Sequence, residues 1–170
     1  VTNTLSRNWP WVALLASAAL LAIAHAFETF GHLAPCELCL KQRQIYWLAM
    51  FIAAVELAGR MVGRFPDRTR LVNILLLGVF LAEAALAVFH AGVEWKFWPG
   101  PASCSGGAMK VDPAELNRLL SGAKMAIPAC DRPAWVFLGV SMAGWNALAA
   151  AALAVGSAMA ALRPPPARGA

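Results

Sequence analysis

The sequence predicts an all-α membrane protein: a four-helix transmembrane bundle with one long outer loop that carries a short amphipathic helix. Three observations lead there. Of the 170 residues 60% are hydrophobic and only 14% are charged, where a soluble domain carries about 25% charged residues. Four apolar stretches each reach the roughly 20 residues that a helix needs to cross the hydrocarbon layer. The arginines gather between those stretches instead of spreading over them. The net charge of +5 therefore argues against nucleic acid, because no basic stripe is interleaved with aromatics, and it serves as an orientation signal instead.

The first stretch runs from about Trp9 to Phe30. Pro10, between Trp9 and Trp11, fits the first turn of a helix, and the two tryptophans fit an interfacial belt. Arg7, the apolar run and Ala24-His25-Ala26 also fit a cleavable signal peptide. The run continues past that site to Phe30, longer than a usual signal core, so a retained span is the expectation. The second stretch covers about Gln44 to Val62, Pro66-Asp67 marks a turn, and the third covers about Leu71 to Ala91. The fourth, about Trp135 to Leu162, is rich in Ala, Gly and Ser, which permits close helix contact. Arg163-Pro164-Pro165-Pro166 ends it, because proline cannot continue a helix. The chain thus divides into one domain, 1–162, with outer loops at about 31–43 and 92–134, and a tail, 163–170, expected to be disordered. No internal repeat is visible.

Orientation follows from the short connections. Arg60, Arg64, Arg68 and Arg70 face only Asp67, and Arg7, Arg163 and Arg168 fall on the same side after four crossings. That side is expected to be cytoplasmic. The other two loops are close to charge-balanced and hold all four cysteines. In the longer loop Trp95, Phe97 and Trp98 argue against a free linker. Asp112-Pro113-Ala114-Glu115 reads as a helix start, with Leu116, Leu119 and Leu120 on one face. That helix lies on the membrane surface or is an ordinary surface helix.

Cys36-Glu37-Leu38-Cys39 follows Pro35 and precedes the second span. A helix start there would place unpaired N–H groups beside the thiols, and Lys41 and Arg43 add positive charge; each favours thiolate, the reactive form. Cys104 and Cys130 both lie in the long loop and admit three readings: a structural staple, an exchange-active disulfide, or half of a four-cysteine zinc site. Only one of the two pairs has the spacing of a zinc-binding turn. Arg43, about one turn past Cys39, can hold a carbonyl-bearing ligand and stabilise a Cys39 thiolate, or simply snorkel. His90, at the outer end of the third span, can shuttle protons or hydrogen-bond at the interface. Glu56 and Glu83 fit interhelical hydrogen bonding; His25 and His32 receive no role.

Taken together, Pro35-Cys36-x-x-Cys39 with Arg43, Trp98-Pro99-Gly100-Pro101 before Cys104, Cys130 a loop later, and Phe137-Leu138-Gly139-x-Ser141-Met142-x-x-Trp145-Asn146 resemble the DsbB family of bacterial inner-membrane disulfide-generating proteins. The resemblance runs over most of the chain. It implies periplasmic loops, and an enzyme that reoxidises a periplasmic DsbA-type thioredoxin-fold partner and passes the electrons to a membrane quinone, ubiquinone or menaquinone. It implies that Cys104 forms the mixed disulfide with the partner, that Cys130 exchanges with Cys36, and that Cys39 delivers electrons to a quinone held by Arg43. His90 lies near a family histidine of the quinone site, offset by about a residue. Many members place Glu before the arginine, where this chain has Gln42, which leaves an acidic role there without a residue. A partner disulfide at about −120 mV is hard to regenerate from glutathione, so a stronger acceptor is expected. The rival readings are a relative dedicated to one specialised partner and a non-enzymatic zinc-bearing membrane scaffold. No resident metal is expected on the relay reading.

Overall fold

The computed structural model describes residues 2–63, 68–101, 104 and 130–162. Among them are four helices: α1 (Thr2–Thr29), α2 (Glu37–Met61), α3 (Thr69–Glu94) and α4 (Met142–Leu162). A hairpin of β1 (Val136–Phe137) and β2 (Val140–Ser141) precedes α4, with Val136 opposite Ser141. The expected helix at 112–120, the Pro66-Asp67 turn and the 163–170 tail lie outside the described residues.

Three helices, over Ser6–Thr29, Thr69–Glu94 and Met142–Leu162, are long and apolar enough to cross a membrane. The second, α2, has the length but not the apolarity, because Glu37, Lys41, Arg43, Glu56 and Arg60 fall within it. Much of that polarity is turned toward neighbours. Glu56 is buried, and its Oε1 accepts from Arg60 Nε at 2.8 Å and from Thr69 Oγ1 on α3 at 3.3 Å. Arg60 also donates to the Arg7 carbonyl of α1. Lipid offers no water to satisfy such groups, so their partners must come from the protein.

Two boundaries differ from the sequence expectation. The first helix begins a full two turns earlier than Trp9, which leaves Pro10 inside it. A proline there has no N–H for the carbonyl four residues back. That carbonyl, Ser6, instead accepts from the buried Asn73 Nδ2 of α3 at 3.1 Å. The fourth helix begins at Met142 and not near Trp135. Aromatic and β-branched residues at 135–137 lead into Leu138 and Gly139, which both have positive φ, 51° and 78°. This pair forms the tight two-residue turn that matches strand twist. Ser141 Oγ then accepts from the Gly144 N–H at 3.1 Å and caps α4.

The main core joins all four helices through Trp9, Tyr46, Leu76, Phe80 and Leu153, with Ala13, Ala49 and Ala154 at close approaches. The most extensive contact is between α3 and α4. Trp9 Nε1 donates to Ser157 Oγ at 2.8 Å, which seats the indole on α4 at Gly156. A second, smaller cluster gathers Cys36, Leu38, Val93, Cys104 and Cys130 at the opposite end of the bundle.

A Cβ at residue 156 would overlap the Trp9 indole. Gly156→Ala is therefore expected to destabilise the bundle by about 1–3 kcal/mol, the usual cost of overpacking. Thermal unfolding in detergent, compared with Gly78→Ala, whose added methyl meets nothing, checks this.

Candidate active site

The site is organised by the first turns of α2. Cys36 is the residue before the helix, and its Sγ accepts from the Cys39 N–H at 3.3 Å, so a thiol occupies the capping position usually filled by Ser or Asp. With that start fixed, Cys39, Arg43 and Tyr46 follow at helical spacing along one side. All of them border a single cavity of about 970 Å³. Its walls include Leu20, Leu21 and Phe27 of α1 and Met142 of α4, with Trp135 and Phe137 of the hairpin segment. Phe27 and Trp135 meet at 5.1 Å, and Trp135 stacks on Phe137 at 5.7 Å. The segment expected to begin a span therefore forms an aromatic wall.

Cys36 and Cys39 are free thiols, with their sulfurs 2.8 Å apart. Cys36 is buried and Cys39 is half-buried against the cavity. The hydrogen bond between them splits their acidities. Donating to Cys39 and being buried push the Cys36 thiol up. Accepting from Cys36, and then from a backbone N–H, with the Arg43 charge adding to both, pulls Cys39 down to about 7 despite its burial. Of the two sulfurs, Cys39 thus ionises first.

Arg43 is mostly enclosed, at 14% side-chain exposure, and does not snorkel freely. Its Nη1 lies 2.5 Å from Glu28 Oε2, and Nη2 donates to the Ala24 carbonyl at 3.2 Å. Both partners belong to the last turns of α1, so the guanidinium ties α2 to α1 at the cavity edge. The sequence reading missed Glu28, since a contact across the first loop leaves no spacing signal.

His90 is 4% exposed and lies beneath Cys36, with Nε2 3.6 Å from its sulfur. The Gln42 amide nitrogen donates to Nδ1 at 3.3 Å, which leaves the ring proton on Nε2, facing the thiol. Glu94, one turn along α3, places Oε1 3.9 Å from the same Nε2. From Gln42 a buried chain continues inward. Asn146 Nδ2 donates to Gln42 Oε1 at 3.1 Å and to Glu83 Oε1 at 2.7 Å, and Tyr46 donates to Asn146 Oδ1 at 2.6 Å. Glu83 is thus the interhelical group expected of it, while Gln42, Tyr46 and Glu94 went unassigned. Glu94 had a usable signal, an acid four residues after a histidine.

Cys104 and Cys130 form a disulfide. This removes them from any four-cysteine zinc site, so that arrangement is not the one adopted. The disulfide packs in the same apolar cluster as Cys36 and Leu38, and Cys104 reaches the edge of the large cavity. Beside Cys130, Lys96 Nζ lies 2.5 Å from Asp131 Oδ2 and 2.6 Å from the Asp131 carbonyl. That contact also holds the Asp131 carboxyl below its ordinary range. Dithiol, disulfide, cation and apolar cavity therefore adjoin one another, an arrangement suited to moving electron pairs between sulfurs.

Iodoacetamide alkylation should separate the two thiols. Cys39 is expected to react with a midpoint at about pH 7, faster as pH rises because the thiolate is the nucleophile. Cys36→Ala should move the Cys39 midpoint up toward about 8.5, the ordinary thiol value, and Arg43→Met should move it up by less. Mass spectrometry of timed samples across pH checks both shifts.

Comparison with known proteins agrees with this architecture. The family model described as disulfide bond formation protein DsbB matches residues 6–160. Disulfide bond formation protein B of Dechloromonas aromatica is 30% identical over 149 residues, which covers 84% of each chain. Disulfide bond formation protein B 2 of Pseudomonas putida is 30% identical over 155 residues, covering 84% of this chain and 83% of its own. The corresponding protein of a Polaromonas species is 29% identical over 144 residues, covering 83% and 82%. No solved structure matches the chain. With cysteines, helices and family model in accord, the chain belongs to the DsbB family of disulfide bond formation proteins.

Proposed function

We propose that the protein is a quinone-dependent thiol oxidase of the bacterial inner membrane, which reoxidises a periplasmic DsbA-type thioredoxin-fold protein. The observation that carries this reading is the dithiol at a large apolar cavity, with Arg43 in the cavity wall and the loop disulfide at its edge. The arginine distribution supports cytoplasmic termini and periplasmic loops at 31–43 and 92–134. On this reading residues 1–162 act as one domain and 163–170 form a cytoplasmic tail.

The residues present fit a quinone. Leu20, Leu21, Phe27 and Met142 provide apolar walls, while Arg43, with N–H groups beyond the two held by Glu28 and Ala24, brings a donor to a ring carbonyl. Quinone, when bound, supplies an acceptor for two electrons and two protons. Arg43 is held by Glu28 and Ala24, so its charge is oriented before any ligand arrives. His90, with its proton on Nε2, stands beside Cys36, where it can donate a hydrogen bond to Sγ and favour a thiolate forming there.

The relay balances as follows. A partner thiolate attacks Cys104, breaking the Cys104–Cys130 bond and freeing Cys130. Cys130 attacks Cys36 of a Cys36–Cys39 disulfide and releases Cys39 as thiolate. The partner's second thiol displaces Cys104, which leaves the partner oxidised. Cys104 then displaces Cys36 from Cys130 and re-forms the loop disulfide. The result is a bonded Cys104–Cys130 pair beside free Cys36 and Cys39, the same redox pattern that the structure has. Loss of two electrons and two protons from Cys36 and Cys39 closes their disulfide again.

Reconstitution of purified protein with a quinone and a reduced DsbA-type partner tests the assignment, with thiol loss as the readout. Cys36→Ser and Cys39→Ser are expected to abolish turnover. Arg43→His is expected to raise the quinone KM with a smaller effect on kcat. Parental behaviour in all three variants would overturn the relay.

A further inference from the structure

We infer that the reduced site is also a redox-gated binding site for a thiophilic divalent cation of the zinc class, held by Cys36, Cys39, His90 and Glu94, and that occupancy blocks turnover. The inference shares the Cys36–Cys39 dithiol with the proposed relay but requires neither quinone nor partner.

The donor geometry carries it. Both sulfurs and a His90 ring nitrogen lie within 4.8 Å of one another. A tetrahedral zinc ion, with Zn–S about 2.3 Å and Zn–N about 2.0 Å, sets its sulfur–nitrogen edge at about 3.5 Å. The Cys36 Sγ to His90 Nε2 distance is 3.6 Å. The sulfur–sulfur edge of such a site is about 3.8 Å, so the thiols, now 2.8 Å apart, must part by about 1 Å. Cys39 borders the open cavity and has room to turn.

The set of Cys36, Cys39 and His90 needs a fourth ligand, which Glu94 would supply by turning toward it. Its Oε1 lies 3.9 Å from His90 Nε2. Ser141 donates a hydrogen bond to this carboxyl, but its buried Oε2 has no partner among the described residues. A buried carboxylate oxygen without a donor is costly, and a cation beside it removes that cost. His90 and Glu94 lie four residues apart on α3, so they face the same direction, and the two cysteines close the set from the start of α2. The ring proton moves from Nε2 to Nδ1 on binding. Rotation of the Gln42 amide then offers an oxygen to Nδ1, the kind of outer contact that orients metal-bound histidines, at the cost of the hydrogen bond it accepts from Asn146.

The chemistry is exchange, not redox. Two sulfur–metal bonds form: Cys39 binds as the thiolate, and at Cys36 the S–H bond breaks and its proton leaves to solvent. A closed Cys36–Cys39 disulfide has no thiolate to offer, so binding is confined to the reduced state. While the ion holds both sulfurs, that disulfide cannot close.

Co2+ titration of the full-length protein in detergent tests this, in a Cys104→Ser/Cys130→Ser background where only the two site thiols remain. We expect one Co2+ per reduced chain, a thiolate-to-cobalt charge-transfer band, Kd below about 1 μM, and displacement by Zn2+. His90→Ala should weaken binding at least about tenfold, Glu94→Gln should weaken it by less, and the oxidised dithiol should give no band. Absence of a stoichiometric band, equal affinity in His90→Ala, or binding to the oxidised form would overturn the proposal. Should His90→Ala fail to fold, X-ray absorption of the zinc-loaded background protein decides. Two sulfurs with imidazole scattering uphold the site, and sulfur ligands alone refute it. Turnover assays in chelator report on the thiol oxidase reading separately, so the two can fail independently.

Discussion

The N-terminal cap of α2 sets the geometry on which the site depends. Because Cys36 Sγ receives the Cys39 N–H, the helix starts at that residue and the cysteines are locked a single turn apart. The same start fixes the angular positions of Gln42, Arg43 and Tyr46. A cap of Ser or Asp would start the helix equally well but would provide no sulfur for exchange. Here the group that satisfies an end-of-helix donor is also a redox group, and its burial leaves the neighbouring sulfur as the reactive one.

Much of this was legible in the sequence because it is local. The apolar stretches, the proline before the Cys-x-x-Cys motif and the arginine one turn on are periodicity and capping effects, which neighbouring residues determine. The features that were missed depend on tertiary contact. Pro10 looked like a helix start because proline in a helix interior strands a carbonyl; only Asn73, more than sixty residues away, removes that objection. The 135–141 segment is apolar enough to pass for a span, yet consecutive positive φ values at Leu138 and Gly139 turn it into a hairpin. Glu28 finds Arg43, and Asn146 finds Gln42 and Glu83, only once the helices are side by side.

Those contacts also explain how α2, the most polar of the four helices, sits in the bundle. Its polar groups are distributed at two levels, Glu56 and Arg60 toward one end and Gln42, Arg43 and Tyr46 toward the other. At each level partners on other helices receive them. Between the levels the interface is apolar, with Ala49 and Ala53 fully enclosed. Packing and polar pairing therefore alternate along α2, which specifies its height and rotation more sharply than either would alone.

Pro10 gives the first helix an absolute zero mark. Its freed carbonyl partner must meet Asn73, so α1 cannot slide or rotate against α3 without stranding a polar group in a dry interior. Glu28 lies 22 residues further along from Ser6 on the same rigid rod, about 33 Å at 1.5 Å per residue. The helix acts as a ruler: a fastening at one face of the bundle determines the depth at which Arg43 finds its anchor at the other. The position of the guanidinium at the cavity edge is thereby set in part from the far side of the protein.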